Sequence, residues 1–113
     1  MLNQWALVRE WTVTRGLVAL HVLNGRLHDH FHARDLHLIM GAASHGVPVR
    51  FRVSLDGQPP GAAHGVDADA GGDGTVTEPR LYQLIRQTTA IVARQFEIEF
   101  LDAGVEAFSF TFG

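Results

Sequence analysis

A chain of 113 residues with 46% hydrophobic content can build one core, because a polypeptide of this size hides roughly two-thirds of its unfolded surface on folding. Nine basic residues against 12 acidic ones leave a formal charge of −3, too little positive field to gather a phosphate backbone, so nucleic acid is not an expected partner. The absence of cysteine excludes disulfides, thiolate metal sites and thiol redox chemistry. No run of about 18 apolar residues predicts membrane insertion, and MLNQWALVRE has no basic start followed by a long apolar stretch that would make a signal peptide.

In chain order, residues 5–7, 11–13 and 17–23 are short β-prone pieces that end at Asn24-Gly25. That pair tolerates positive φ at both positions and predicts a hairpin. The return strand, 27–33, places Leu27, Phe31 and Ala33 on one side and His28, His30 and His32 on the other. Leu36, Leu38 and Met40 continue the apolar series after a one-residue phase slip, which predicts a bulge near Arg34 and Asp35. Residues 41–46 form a loop. The strand 47–55 follows, with Val49, Phe51, Val53 and Leu55 inward, Arg50 and Arg52 outward, and Pro48 at its start, where a missing N–H is tolerated.

Residues 56–73 are rich in Gly, Pro, Ala and Asp and predict a long loop, of the kind that is functional or mobile. The segment TEPRLYQLIRQTTAIVARQ fits two patterns, since Leu81, Leu84, Ile85 and Val92 also match helical spacing behind a Thr-x-Pro start. A strand over 80–87 is the preferred reading. Strands 94–101 and 106–112, joined by Asp102-Ala103-Gly104, should pair antiparallel. Eight or nine such strands predict an all-β, two-layer antiparallel β-sandwich of jelly-roll type, a single domain over residues 1–113.

The segments FHARDLHLIMG, PVRFRVSLDGQPPGAAHGVD, GTVTEPRLYQLIRQ and FEIEFLDAGVEAFSFTFG resemble the C-terminal β-sandwich domain appended to the thioredoxin-like part of DipZ-type cytochrome c biogenesis and redoxin proteins. The resemblance covers roughly residues 5–113. It implies an accessory domain, shaped like a carbohydrate-binding module, beside an extracytoplasmic thiol-disulfide module that bears a CxxC. The redox chemistry of that module does not carry over to these residues, which contain no cysteine. What the resemblance leaves is a periplasmic or cell-envelope location and a thioredoxin-like domain or protein as partner.

Three groups of residues suggest ligand chemistry. His28, His30 and His32 lie at period-two spacing, with Asp35 or His37 as a further donor. A strand sets alternate side chains nearly 7 Å apart, so the outer members do not share one ion without a neighbouring strand, and a solvated polar face is the simpler expectation. Asp67, Asp69, Asp73 and Glu78 are spaced like part of a calcium loop. Gly71 stands where a ligand belongs and no helices flank the segment, so a solvated turn is expected and no metal or other cofactor is assigned.

The third group suits a glycan, against core packing for the tryptophans and solvated charge for the outward arginines as the simpler expectation. Trp5, Trp11 and Tyr82 offer flat faces for the C–H side of a sugar ring, while Asp35, Arg50, Arg52, Arg86 and Gln83 offer hydrogen bonds at the rim. Catalysis is not expected: Ser44, Ser54 and Ser109 lack a nucleophile-elbow context, and the alternation of Glu97 and Glu99 is that of an exposed strand. The expected function is a non-catalytic binding module for a glycan. The alternative is an interaction domain that packs on the thioredoxin-like domain, or on a second copy of the chain, and orients the redox centre.

Overall fold

The computed structural model describes residues 4–8, 11–14, 17–20, 25–42 and 47–113, the first three stretches as backbone strands. The strands in chain order are β1 (Gln4–Val8), β2 (Trp11–Thr14), β3 (Leu17–Leu20), β4 (Gly25–Phe31), β5 (Asp35–Ala42), β6 (Val49–Leu55), β7 (Asp73–Val76), β8 (Arg80–Arg86), β9 (Arg94–Phe100) and β10 (Val105–Phe112). They make two five-stranded sheets. The first has the order β1-β4-β9-β6-β7 and the second β2-β3-β10-β5-β8, with every pairing antiparallel. Among the described residues the only helix is a 3-10 turn, Gly61–Ala63. This is the expected two-layer sandwich.

Alternation decides which face each strand buries. On β6, Val49, Phe51, Val53 and Leu55 are buried while Arg50 and Arg52 are exposed, and on β9 Phe96, Ile98 and Phe100 are buried. The second sheet meets them with Leu36, Leu38 and Met40 of β5 and Tyr82, Leu84 and Ile85 of β8. Each such aliphatic or aromatic side chain contributes roughly 1.5–3 kcal/mol on leaving water. The strand reading of 80–87 holds over 80–86: Tyr82 and Leu84 alternate into the core, and a bulge at Leu84 lets Ile85 face inward as well.

Three expectations about connection fail for one reason. Residue 24 lies outside the described residues, but the strands on either side do not form a hairpin: β3 pairs with β2 and β10, and β4 with β1 and β9. The last two strands do not pair either, since β9 lies between β4 and β6 in the first sheet and β10 between β3 and β5 in the second. The phase slip near Arg34 and Asp35 is a change of sheet, not a bulge, because β4 ends at Phe31 and β5 begins at Asp35 in the other layer. Stacked sheets lie about 10 Å apart, a gap that three or four extended residues span, and period-two patterning is the same whether the next strand pairs beside the last or stacks across from it.

True bulges sit elsewhere. The register slips between Ala107 and Ser109 against β5, with Phe108 as the extra residue, and between Leu36 and His37 against β8, with Leu84 as the extra residue. β7 arises inside the acidic Gly-rich segment that sequence pattern assigns to loop. A Cβ on Gly74 would meet the Phe51 ring at 2.2 Å, so glycine is what lets this short strand lie against β6.

The loop 56–72 covers the edge of β8. Gly65 N–H donates to the Leu84 carbonyl (2.8 Å) and Asp67 N–H to the Gln83 carbonyl (3.0 Å), satisfying groups that an open edge strand leaves bare. One feature opposes the pattern: Asp29 on β4 faces inward at 2% exposure.

Candidate functional site

The seven sequence-predicted ligand residues do not share a face. Arg50 and Arg52 project from β6 on the outside of the first sheet, and both are engaged. Arg50 grips Asp102 in a fork, Nε to Oδ2 at 2.9 Å and Nη2 to Oδ1 at 2.8 Å, and its backbone N–H donates to the same carboxylate at 3.0 Å. These bonds hold the Asp102 carboxyl down at about 2, the side-chain hydrogen bond from Arg50 first. Arg52 Nε donates to Asp73 Oδ1 at 2.8 Å. A shallow groove runs beside both arginines along Gly74, Thr75 and Leu101, with no aromatic ring exposed in it.

Tyr82 is a correction. Its side chain is fully buried, so it offers no sugar-stacking face. The hydroxyl donates to the Glu78 carbonyl at 2.7 Å and accepts the Thr77 N–H at 2.9 Å, while the Arg80 guanidinium lies 3.8 Å from the ring centroid. Tyr82 therefore pins the connection between β7 and β8. Trp5 lies on β1 opposite Asp29, and Trp11 on β2 opposite Leu20; the side chains of both fall outside the described residues.

The histidine and acidic groups resolve as structure. His28 and His30 lie on β4 in the first sheet, and His28 Nε2 is 3.1 Å from Glu97 Oε1. Asp35 and His37 stand on β5 in the second sheet and cannot join them. Asp67 accepts Arg80 Nη2 (2.8 Å) and the Gln83 N–H (2.7 Å), and the Arg80 hydrogen bond is the first cause of its lowered pKa. Asp69 Oδ1 accepts the Asp73 N–H at 2.9 Å. Among the described residues no three His, Asp or Glu side chains are grouped as metal ligands.

Asp35 and Arg86 do come together, on the outer face of the second sheet, where register makes three cross-strand rows. Asp35 lies opposite Arg86; His37 lies between Gln83 and Thr111; Ile39 lies between Leu81 and Ser109. A cleft of about 100 Å³ opens along the first two rows, walled by His64, Gly65 and Val66 of the loop. Gly65 permits that wall, since a Cβ there would stand 2.3 Å from the Gln83 carbonyl oxygen.

Hydrogen-bonding capacity in this cleft is left unused. Asp35 Oδ1 is buried without a hydrogen bond; Arg34 Nε, at 3.4 Å, is near it without bonding geometry. Among the described residues Arg50, Arg52, Arg80 and Arg94 each hold a carboxylate, whereas Arg86 makes neither ion pair nor hydrogen bond. His64 Nδ1 lies 2.8 Å from the Gly65 carbonyl oxygen. A carbonyl only accepts, so Nδ1 carries the proton and the neutral ring keeps Nε2 as an acceptor. Carboxylate, guanidinium, imidazole and amide thus converge on one small opening, a set suited to hydroxyl groups that both donate and accept.

Sequence pattern named Asp35, Arg86 and Gln83 for this role, but not His64. His64 sits in a loop whose docking no periodicity encodes.

The whole chain, residues 1–113, matches the family described as thioredoxin-like C-terminal domain, and the protein belongs to that family. No curated protein matches it. Among solved structures, an active-site mutant of a family two carbohydrate esterase from Clostridium thermocellum superposes with a TM-score of 0.72 at 10% identity, over 98% of this chain and 31% of the esterase. A second structure of a family two carbohydrate esterase from Clostridium thermocellum, in complex with cellohexaose, gives 0.67 at 10% identity over 96% and 31%. One from Cellvibrio japonicus gives 0.67 at 9% identity over 94% and 29%. This chain spans about a third of those proteins, and at such identity the likeness is one of fold.

Proposed function

We propose that the chain is a non-catalytic binding module of a thioredoxin-like protein and that it holds a glycan in the cleft between β5 and β8. The observation that carries this reading is the pairing across the cleft of Asp35, whose buried Oδ1 lacks a hydrogen bond, with the exposed Arg86 directly opposite, whose side chain holds no carboxylate. A sugar's adjacent hydroxyls donate to Oδ2, the carboxylate oxygen that is not buried, and accept from the guanidinium, while Gln83 and His37 reach the next positions. Family membership supports the thioredoxin association. Support for a carbohydrate comes from the sandwich shared with part of the esterases, one of them solved with cellohexaose. Asp35 is the one carboxylate lining the cleft, and glycoside hydrolysis by the usual route needs two. The DipZ-type parentage, and with it a periplasmic or cell-envelope site of action, belongs to the same proposal.

An oligosaccharide array followed by calorimetric titration of the full chain tests it. Arg86→Ala and Asp35→Asn should each weaken binding at least tenfold, consistent with roughly 1.5–3 kcal/mol for a hydrogen bond to a charged group. Equal binding by both variants would sink the reading. A second reading rests on Leu81 and Phe108, exposed at 38% each on the same face, as a contact surface for the thioredoxin-like domain or a second copy. It predicts no saccharide binding, and association that Phe108→Ala abolishes.

A further inference from the structure

We infer that the row beside the cleft is a second sugar subsite, so that the ligand is an oligosaccharide of at least two rings lying along β5; this rests on the glycan reading above. A cleft of about 100 Å³ is well below the roughly 300–1,000 Å³ that encloses a drug-sized ligand, so it grips one end or edge of a ligand whose remainder lies on the adjoining surface. That surface is determined by register. One step of two residues along β5, about 7 Å, leads from the His37 row to Leu81, Ile39 and Ser109, a row without a charged side chain.

Phe108 completes it. As the extra residue of the β10 bulge it falls between buried Ala107 and Ser109, and it is 38% exposed on a strand that lies inside the second sheet, between β3 and β5. Without the bulge, strict alternation would place Phe108 and Phe110 on one face. With it, Phe110 packs edge-on against Phe96 (5.9 Å) and Phe112 stacks on Phe31 (6.0 Å), while Phe108 alone is left on the surface. Bulges commonly re-aim a side chain beside a site. An exposed phenyl ring on the same face as exposed Leu81 and half-buried Ile39, bordered on one side by the polar cleft, matches the two sides of a sugar: C–H faces for the apolar row, hydroxyl edges for the cleft.

The test is titration of the full chain with two β-1,4-linked series, glucose to cellohexaose and N-acetylglucosamine to its hexamer. The hexamer of the preferred series should bind at least tenfold more tightly than its monosaccharide. Phe108→Ala should remove that gain and leave monosaccharide affinity unchanged, and Phe108→Tyr should restore it. Equal affinity for hexamer and monosaccharide, or Phe108→Ala without effect on the hexamer while Arg86→Ala still abolishes binding, overturns the second subsite and leaves the glycan reading standing. Absence of binding by every member of both series overturns both, as does a dimer of the chain that Phe108→Ala dissociates without any saccharide binding.

Discussion

Asp29 stands between Leu27 and Phe31 on the inward side of β4, 2% exposed, and neither of its carboxylate oxygens has a hydrogen-bond partner among the described residues. Burial pushes its pKa up from 3.8 to about 6, and the nearby His30 backbone N–H offsets this only in part. An acid whose folded pKa is raised stabilises the fold fully below its unfolded value and loses that contribution as pH rises through the folded one. Two units correspond to about 3 kcal/mol. Urea unfolding across a pH series should therefore show stability falling between about pH 4 and 6, and Asp29→Asn should flatten that window; a wild-type curve level from pH 4 to 6 would contradict the assignment. Tyr82 makes the opposite case, a buried polar atom fully satisfied. Tyr82→Phe leaves the Thr77 N–H and the Glu78 carbonyl without their partner and should cost about 1–3 kcal/mol in the same unfolding experiment.

Among the elements, the loop 56–72 does most to shape the cleft, and along the cleft it is docked on β8 by the Gly65 and Asp67 backbone bonds and by the Asp67 carboxylate on Arg80 and the Gln83 N–H. Gly65→Ala forces a methyl group against the Gln83 carbonyl and lifts the loop. Expected results are a loss of about 1–3 kcal/mol and weakened glycan binding, although no ligand contact is removed; unchanged affinity in a folded variant would show that the loop is not a wall of the site. Sequence pattern made β6, β8 and β9 legible, because Phe51, Leu84 or Ile98 has one face to bury and alternation says which. It could not make the partners legible. The turn at 102–104 predicts a reversal, and only the strand order, with β9 in the first sheet and β10 in the second, shows that the chain reverses across the sandwich instead of beside itself. The site was half visible for the same reason. Asp35, Gln83 and Arg86 sit on strands whose outward positions can be counted, whereas Tyr82 was misplaced because the phenol's partners, Thr77 and Glu78, belong to a turn whose geometry alternation does not describe.

For the whole molecule, the titrating groups set a shape for stability against pH. Asp56, Asp67 and Asp102 have lowered pKa values, caused first by the Gln95 backbone N–H, the Arg80 side chain and the Arg50 side chain respectively. Their contributions are present above the unfolded value near 3.8 and are lost as pH falls below it. Combined with Asp29, which acts in the window above, these groups contribute a decline in stability on the acid side of about pH 4 and another between about pH 4 and 6. At the same scale the two outer faces divide their roles. On the first sheet Arg50 and Arg52 are held by hydrogen bonds to Asp102 and Asp73, while on the second Asp35 has only the looser Arg34 pair and the Arg86 guanidinium holds no carboxylate, with an exposed phenyl ring on the same face. Backbone amide shifts recorded during titration with the tightest-binding saccharide test this asymmetry most directly. Changes should concentrate at residues 35–39, 64–66, 81–86 and 108–111. Changes centred on Arg50 and Arg52, or none with any saccharide, would contradict the account.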